Sequence, residues 1–136
     1  MAFIPFRFDA GQYCEIPMEN TQTITRGQAL DDSDDDGLFA AATNTSNFVP
    51  YVAMENITTS SAGQLIKAIR TFGVQFLADT TNDTAATDVN LTADLTDSNT
   101  VDNAASAQDV FYIERLVGAA ADRKVIGTFL SFKATA

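Results

Sequence analysis

Short apolar or alternating runs, separated by polar clusters containing Gly, Asn or Asp, recur along the whole chain, which is the pattern of an all-β domain. The runs are "FIPFRF" from Phe3, "QYCEIPM" from Gln12, "ITRGQAL" from Ile24, "GLFAAA" from Gly37 and "FVPYVAMENI" from Phe48. They continue with "VNLTADL" from Val89, "VFYIERLV" from Val110 and "KVIGTFLSF" from Lys124. Thr, Val, Ile and Phe dominate them, and a pleated, half-buried surface accommodates those side chains well. In the run from Val110, Val110, Tyr112 and Glu114 share one face while Phe111, Ile113 and Arg115 share the other. Both faces carry apolar residues, so the last two runs are expected to be central or covered, joined as a hairpin through "VGAAADR". Pro50 stands early in its run and predicts an edge strand or a bulge there.

One segment supports two readings. "SSAGQLIKAIRTFGVQFLAD" can be a helix from Ala62 to about Phe72, with Ser61 and Gln64 spaced as a capping box and Gly73 as terminator. It can equally be two strands meeting near Thr71 to Gly73, with Phe72, Val74 and Phe76 alternating, and periodicity leaves both open. From Asp79 to Asp109 large apolar residues are scarce outside "VNL", which predicts long surface loops with one or two short strands. "TDSNTVDNAASAQD" in particular is expected to be exposed and mobile. The reading is of a mainly β chain with little helix and long polar loops, a single small β-barrel or β-sandwich. Residues 1–20 form an N-terminal arm with the first strands and a docking segment, and residues 21–136 form the single β domain.

Composition narrows the chemistry. The 136 residues suit one core, and 46 % hydrophobic content with ten Phe supplies the apolar surface to form it. Eight basic against eighteen acidic residues give a net charge of −10, which repels nucleic acid and anionic membranes. There is no His, and Cys14 is the only cysteine, so His-based nucleophile systems, thiolate zinc sites and internal disulfides are excluded. Cys14, in strand-like "QYCEI" with no basic neighbour, reads as a packing residue. The expectation is a protein that is not an enzyme, with no cofactor and no small-molecule substrate. "MAFIPFRFDAG" does not read as a signal peptide, and no run approaches the roughly 20 apolar residues of a spanning helix.

Two segments are candidates for function. "DSDDDG" matches the opening of a calcium loop, with Asp32, Asp34 and Asp36 as oxygen ligands and Gly37 at the sharp turn. The twelfth position, where a bidentate Glu belongs, is Thr43, and the flanks read as strands. An acidic turn between two strands is the more economical account, with calcium binding the alternative. Adjacent exposed aspartates do not supply the buried, raised-pKa acid of glycoside hydrolysis. In "FIPFRF", Phe3, Ile4, Phe6 and Phe8 surround a single charge, Arg7. The segment is either a first strand paired into the sheet or an edge that docks onto another protein through these five residues, and the two are compatible.

From Arg26 onward the order of segments resembles the capsid decoration (cement, or head-stabilising) proteins of tailed double-stranded DNA bacteriophages. The residues that carry the resemblance are "ITRGQAL", "GLFAAAT", "YVAMENIT", "VNLTADL" and "DVFYIERLVGAAADRKVIGTF", spread over roughly 110 of the 136 residues. In that family a strand similar to "YVAMEN" precedes a β-rich middle, and a closing hairpin has the form GxFxIxRxxG…KVxGxF. The chain departs from the pattern at Gln108–Asp109, where the family carries Gly, and in a longer loop from Asp94 to Gln108. The resemblance implies a β-tulip-like domain and favours strands over helix for residues 62–78. It also implies a virion protein, made in the host cytoplasm and added to the outer capsid surface. There it would act as a homotrimer that bridges major capsid protein subunits and stabilises the shell. The alternatives are a calcium-dependent surface or adhesion module and another virion component, such as a tail-tube or head-completion protein.

Overall fold

The computed structural model describes residues 3–7 and 13–130, with Phe6 and Arg7 described by their backbone alone. In chain order the strands are β1 (Ile4–Arg7), β2 (Tyr13–Met18), β3 (Thr23–Ile24), β4 (Ala29–Asp31), β5 (Ala40–Ala41), β6 (Tyr51–Ala53) and β7 (Ile57–Thr58). They continue with β8 (Gln64–Arg70), β9 (Gln75–Thr80), β10 (Thr92–Asp97), β11 (Thr100–Asp102), β12 (Phe111–Val117) and β13 (Lys124–Phe129). The only helical segments among the described residues are single 3₁₀ turns at Ala86–Asp88 and Ala120–Asp122, so the chain is mainly β, as its pattern predicts. No helix among them is long and apolar enough to cross a membrane.

The larger sheet runs β1-β9-β11-β10-β12-β13, and β13 also pairs with β9, so its ladders return on themselves. β9 has β13 antiparallel on one side, with Val125 opposite Ala78 and Gly127 opposite Phe76. It also pairs antiparallel with β1 through Ile4–Leu77 and parallel with β11 through Val101–Thr80. Phe3, Phe76, Phe111 and Phe129 are all at most 3 % exposed and form the aromatic centre of the larger core. Phe129 meets Phe76 and Phe111 edge-on at centroid distances of 5.4 and 5.1 Å, a geometry that sets ring edges against ring faces. Gly127 is required at this point. A Cβ there would meet the backbone carbonyl of Tyr112 and come within 2.6 Å of the Phe111 ring.

The smaller sheet, β2-β8-β6-β4-β5, is antiparallel throughout. Its two ends meet where Phe39 donates its N–H to the Pro17 carbonyl at 3.0 Å and accepts that of Glu19 at 2.9 Å. Ala29, Val52 and Ile69 on one face join the larger core. Ile16, Met18, Leu30, Ala53, Ile66 and Ala68 on the other face form a second core, to which Ile24 and Ile57 of the β3–β7 pair are added. The two sheets are tied together at Ser98, whose carbonyl accepts the Ala29 N–H at 2.8 Å.

Residues 62–78 are two strands, β8 and β9, and not a helix, which agrees with the reading that the resemblance favours. The turn between them uses Gly73 at φ +73°, while Thr71 Oγ1 donates to the Val49 carbonyl at 2.6 Å. Other expectations need correction. "ITRGQAL" is not one strand, because Gly27 at φ +92° turns the chain between β3 and β4. "FVPYVAMENI" likewise divides into β6 and β7, and "GLFAAA" contributes only β5. Pro50 marks neither an edge nor a bulge. It lies just ahead of β6, which is central between β8 and β4, and its carbonyl accepts the Thr71 N–H at 3.0 Å.

The segment 96–109 is not loop throughout, since it contains the end of β10 and all of β11, although Ala104, Ser106, Ala107 and Asp109 are exposed as expected. Val101 is fully buried and β11 is paired on both sides. Beyond it the loop is fastened to Asp94, a buried carboxylate that accepts backbone N–H groups from Ala107 (3.1 Å), Gln108 (2.7 Å) and Asp109 (3.0 Å). The described part of residues 1–20 holds the first two strands, β1 in the larger sheet and β2 in the smaller.

Candidate functional site

The acidic stretch is the connection of the β4–β5 hairpin, in which Leu30 pairs with Ala41 and Asp31 with Ala40. This is the acidic turn between two strands that the sequence favours. Asp35 at φ +55° and Gly37 at φ +83° supply the left-handed positions that reverse the chain. Asp32 turns its carboxylate back on the loop and accepts the Asp36 N–H at 3.2 Å and the Gly37 N–H at 2.9 Å. Asp36 Oδ1 accepts the Leu38 N–H at 2.9 Å. These are Asx-type bonds of the kind that make Asp common in turns.

The calcium reading groups Asp32, Asp34 and Asp36, but the fold assembles a different set. Carboxylate oxygens of Glu19, Asp34 and Asp36 all lie within 4.8 Å of one another, while Asp32 spends both of its oxygens on backbone N–H groups. Thr43, at the position of the missing closing ligand, lies beyond β5 and bonds Thr45 Oγ1 at 3.0 Å. Nothing in the spacing announces Glu19. It arrives because its N–H bonds the Phe39 carbonyl where the smaller sheet closes.

The trio is electrostatically strained. A hydrogen bond with the Asp36 carboxylate, then partial desolvation and the nearby charges of Asp36, Asp34 and Asp32, raise the Glu19 pKa above its ordinary value. Asp36 is lowered, chiefly by the Leu38 N–H, so the two carboxyl groups are pushed apart, with Glu19 the weaker acid of the pair. Asp34 and Asp36 are exposed, which suits proton sharing or loose attraction of cations and not buried acid–base catalysis.

Beside this loop lies a cleft of about 370 Å³, whose lining includes Asp32, Asp35, Phe39, Ser46, Phe48 and Pro50. In that lining Ser46 Oγ donates to the buried Asp31 carboxylate and accepts the Thr43 N–H at 2.9 Å, so these two side chains are held by their own bonds. A second depression, of about 180 Å³, is lined by Phe48, Pro50, Tyr51, Arg70, Thr71 and Phe72. Phe72, at the tip of the β8–β9 turn, is 61 % exposed, the most exposed large apolar residue among those described.

The N-terminal anchors separate. Phe3 is 1 % exposed and packed among Phe76, Phe111 and Phe129, so it cannot serve as a docking anchor; its surface is consumed by the core. Ile4, 38 % exposed and paired with Leu77, keeps an outward surface. The backbones of Phe6 and Arg7 complete β1, and Phe8 lies outside the described residues. Cys14 is half-buried, and burial raises its thiol pKa, which keeps the thiolate scarce and agrees with a packing role. A scan against family models and searches of curated proteins and of solved structures return no match to the chain.

Proposed function

We infer that the chain is a structural virion protein that attaches to the outer surface of an icosahedral phage capsid and stabilises it by bridging major capsid protein subunits. The observation that carries the reading is the closing hairpin. "DVFYIERLVGAAADRKVIGTF", the longest segment of the family resemblance, coincides with β12, a tight loop and β13, with Phe111 opposite Phe129 and Val117 opposite Lys124. Exposed apolar residues outside the core, Leu65 of β8, Phe72 of the β8–β9 turn and Ile4 of β1, offer surfaces for partner contact. A net charge of −10 opposes self-association away from the lattice. As a homotrimer the protein would engage several subunits at once, which makes weak single contacts collectively tight.

The test is shell stability. DNA-filled particles lacking the protein are heated with a DNA-binding dye, with and without the purified chain. The reading predicts that DNA release moves to higher temperature with a saturable dependence on added protein. An unchanged release temperature at saturating protein contradicts it.

A further inference from the structure

We propose that the chain associates head to tail with further copies of itself, the aspartate loop of one copy seating on a depression of the next that holds Arg26 and Lys67. The inference goes beyond the capsid reading and does not rest on it, and its test uses the purified chain alone.

The depression, of about 590 Å³, is lined by Tyr13, Cys14, Glu15, Arg26, Met54 and Lys67. Elsewhere Arg123 and Lys124 are paired with Asp83 and Asp79, whereas the side chains of Arg26 and Lys67 are exposed and bond no group among the described residues. Both residues are held through their backbones instead. The Arg26 N–H donates to Asn56 Oδ1 at 2.7 Å and the Lys67 N–H to Glu55 Oε2 at 2.6 Å. Glu15, opposite Lys67 in the β2–β8 ladder, offsets part of the positive charge. Apolar surface adjoins the two cations, since Tyr13 in the lining is 52 % exposed and Leu65, on the same face of β8 as Lys67, is 55 % exposed.

The same chain carries the complementary feature. Residues 33–37 are all exposed, and Asp32, Asp34, Asp35 and Asp36 stand in five consecutive positions. The neighbouring charges that act on Glu19 beside them are all negative, so a cation supplied from outside relieves their crowding. Arg26 precedes β4 and the loop follows it, and the two patches have no residue in common. Contact between different patches is heterologous. Once two copies meet, one loop and one depression remain free, and association passes beyond the dimer to a ring or a chain. The net charge of −10 on each copy acts against the contact at long range, which makes it weak and dependent on concentration.

Sedimentation equilibrium of the full chain, at concentrations up to about 1 mM, reads the association. About 0.1 M salt is used, where screening over roughly 10 Å damps repulsion between whole copies and spares charges in contact. The chain is expected to form species larger than a dimer, and to do so less in about 1 M salt. Lys67→Glu and Asp34→Lys, both at exposed positions, should each weaken association at least about tenfold. An equimolar mixture of the two variants should regain a one-to-one complex, because it still holds one intact loop and one intact depression. Asp97→Lys makes the same change of net charge where β10 turns into β11 in the other sheet, and should leave association within about twofold. Circular dichroism confirms that each variant is folded before it is scored. A chain that stays monomeric at every concentration, equal loss in Asp97→Lys and Asp34→Lys, or a mixture that remains monomeric overturns the proposal.

Discussion

The ring of Phe3 packs against that of Phe129 with centroids 4.8 Å apart, so the first described residue closes on the last strand of the larger sheet. The N-terminal segment is therefore part of the core that it would otherwise only border. Phe3→Ala is expected to destabilise the protein by about 3–5 kcal/mol, the range for removing a buried ring. Deleting residues 1–9 should cost more, because it also removes β1 from the edge of β9. Urea unfolding followed by circular dichroism checks both. A truncated chain as stable as the full one would show that β1 is an appendage.

Asp94 should act as the pin of the loop after β11. Asp94→Ala removes the acceptor of three backbone N–H groups, and the expected loss is about 2 kcal/mol or more. Hydrogen exchange is the sharper readout: the amides of Ala107, Gln108 and Asp109 should lose protection while those of β13 keep theirs. Uniform loss across the chain would mean that Asp94 supports the whole core and not one loop.

The Glu19–Asp36 pair gives a pH dependence whose sign can be worked out. Glu19 has a raised folded-state pKa, so its contribution is fully present below its unfolded value and is lost as pH rises through the folded value. Asp36 is lowered, and its contribution is lost only as pH falls through its own folded value. Glu19→Gln keeps a hydrogen-bond donor for Asp36 without the charge. The variant should melt above the wild type at neutral pH, with the gap narrowing as pH falls into the carboxylate range. Thermal melts across that range decide it, and a variant less stable than wild type at neutral pH sinks the assignment.

How much of this could be read from the chain follows from residue spacing. The hairpin β12–β13 is legible because Phe111 and Ile113 alternate with Tyr112 and Glu114 over a full strand, and the two partners are adjacent in sequence. The acidic loop is legible as a turn because its Asp and Gly residues act locally. β11 is not, since three residues with one buried Val give no period, and its partner β9 lies twenty residues upstream in a parallel ladder. Glu19 is invisible for a related reason: its place beside Asp34 and Asp36 comes from the closure at Phe39. Phe3 shows as an apolar run but not as core, because an edge strand and a docking strand share one pattern.

Calcium tests the remaining reading of the acidic loop. With Asp32 engaged by backbone N–H groups and Thr43 in place of the closing ligand, calcium should raise the melting temperature only as much as sodium at equal ionic strength, through screening of like charges. A shift of several degrees specific to calcium, abolished by Asp34→Ala and Asp36→Ala, would establish a metal site instead.

The most direct measurement is co-sedimentation of the purified chain with shells assembled from the major capsid protein encoded in the same genome. The account predicts saturable binding to intact shells at a fixed ratio of chain to capsid subunit, with no binding to unassembled subunits. A chain that stays in the supernatant at every shell concentration, or a genome that encodes no major capsid protein, would contradict it.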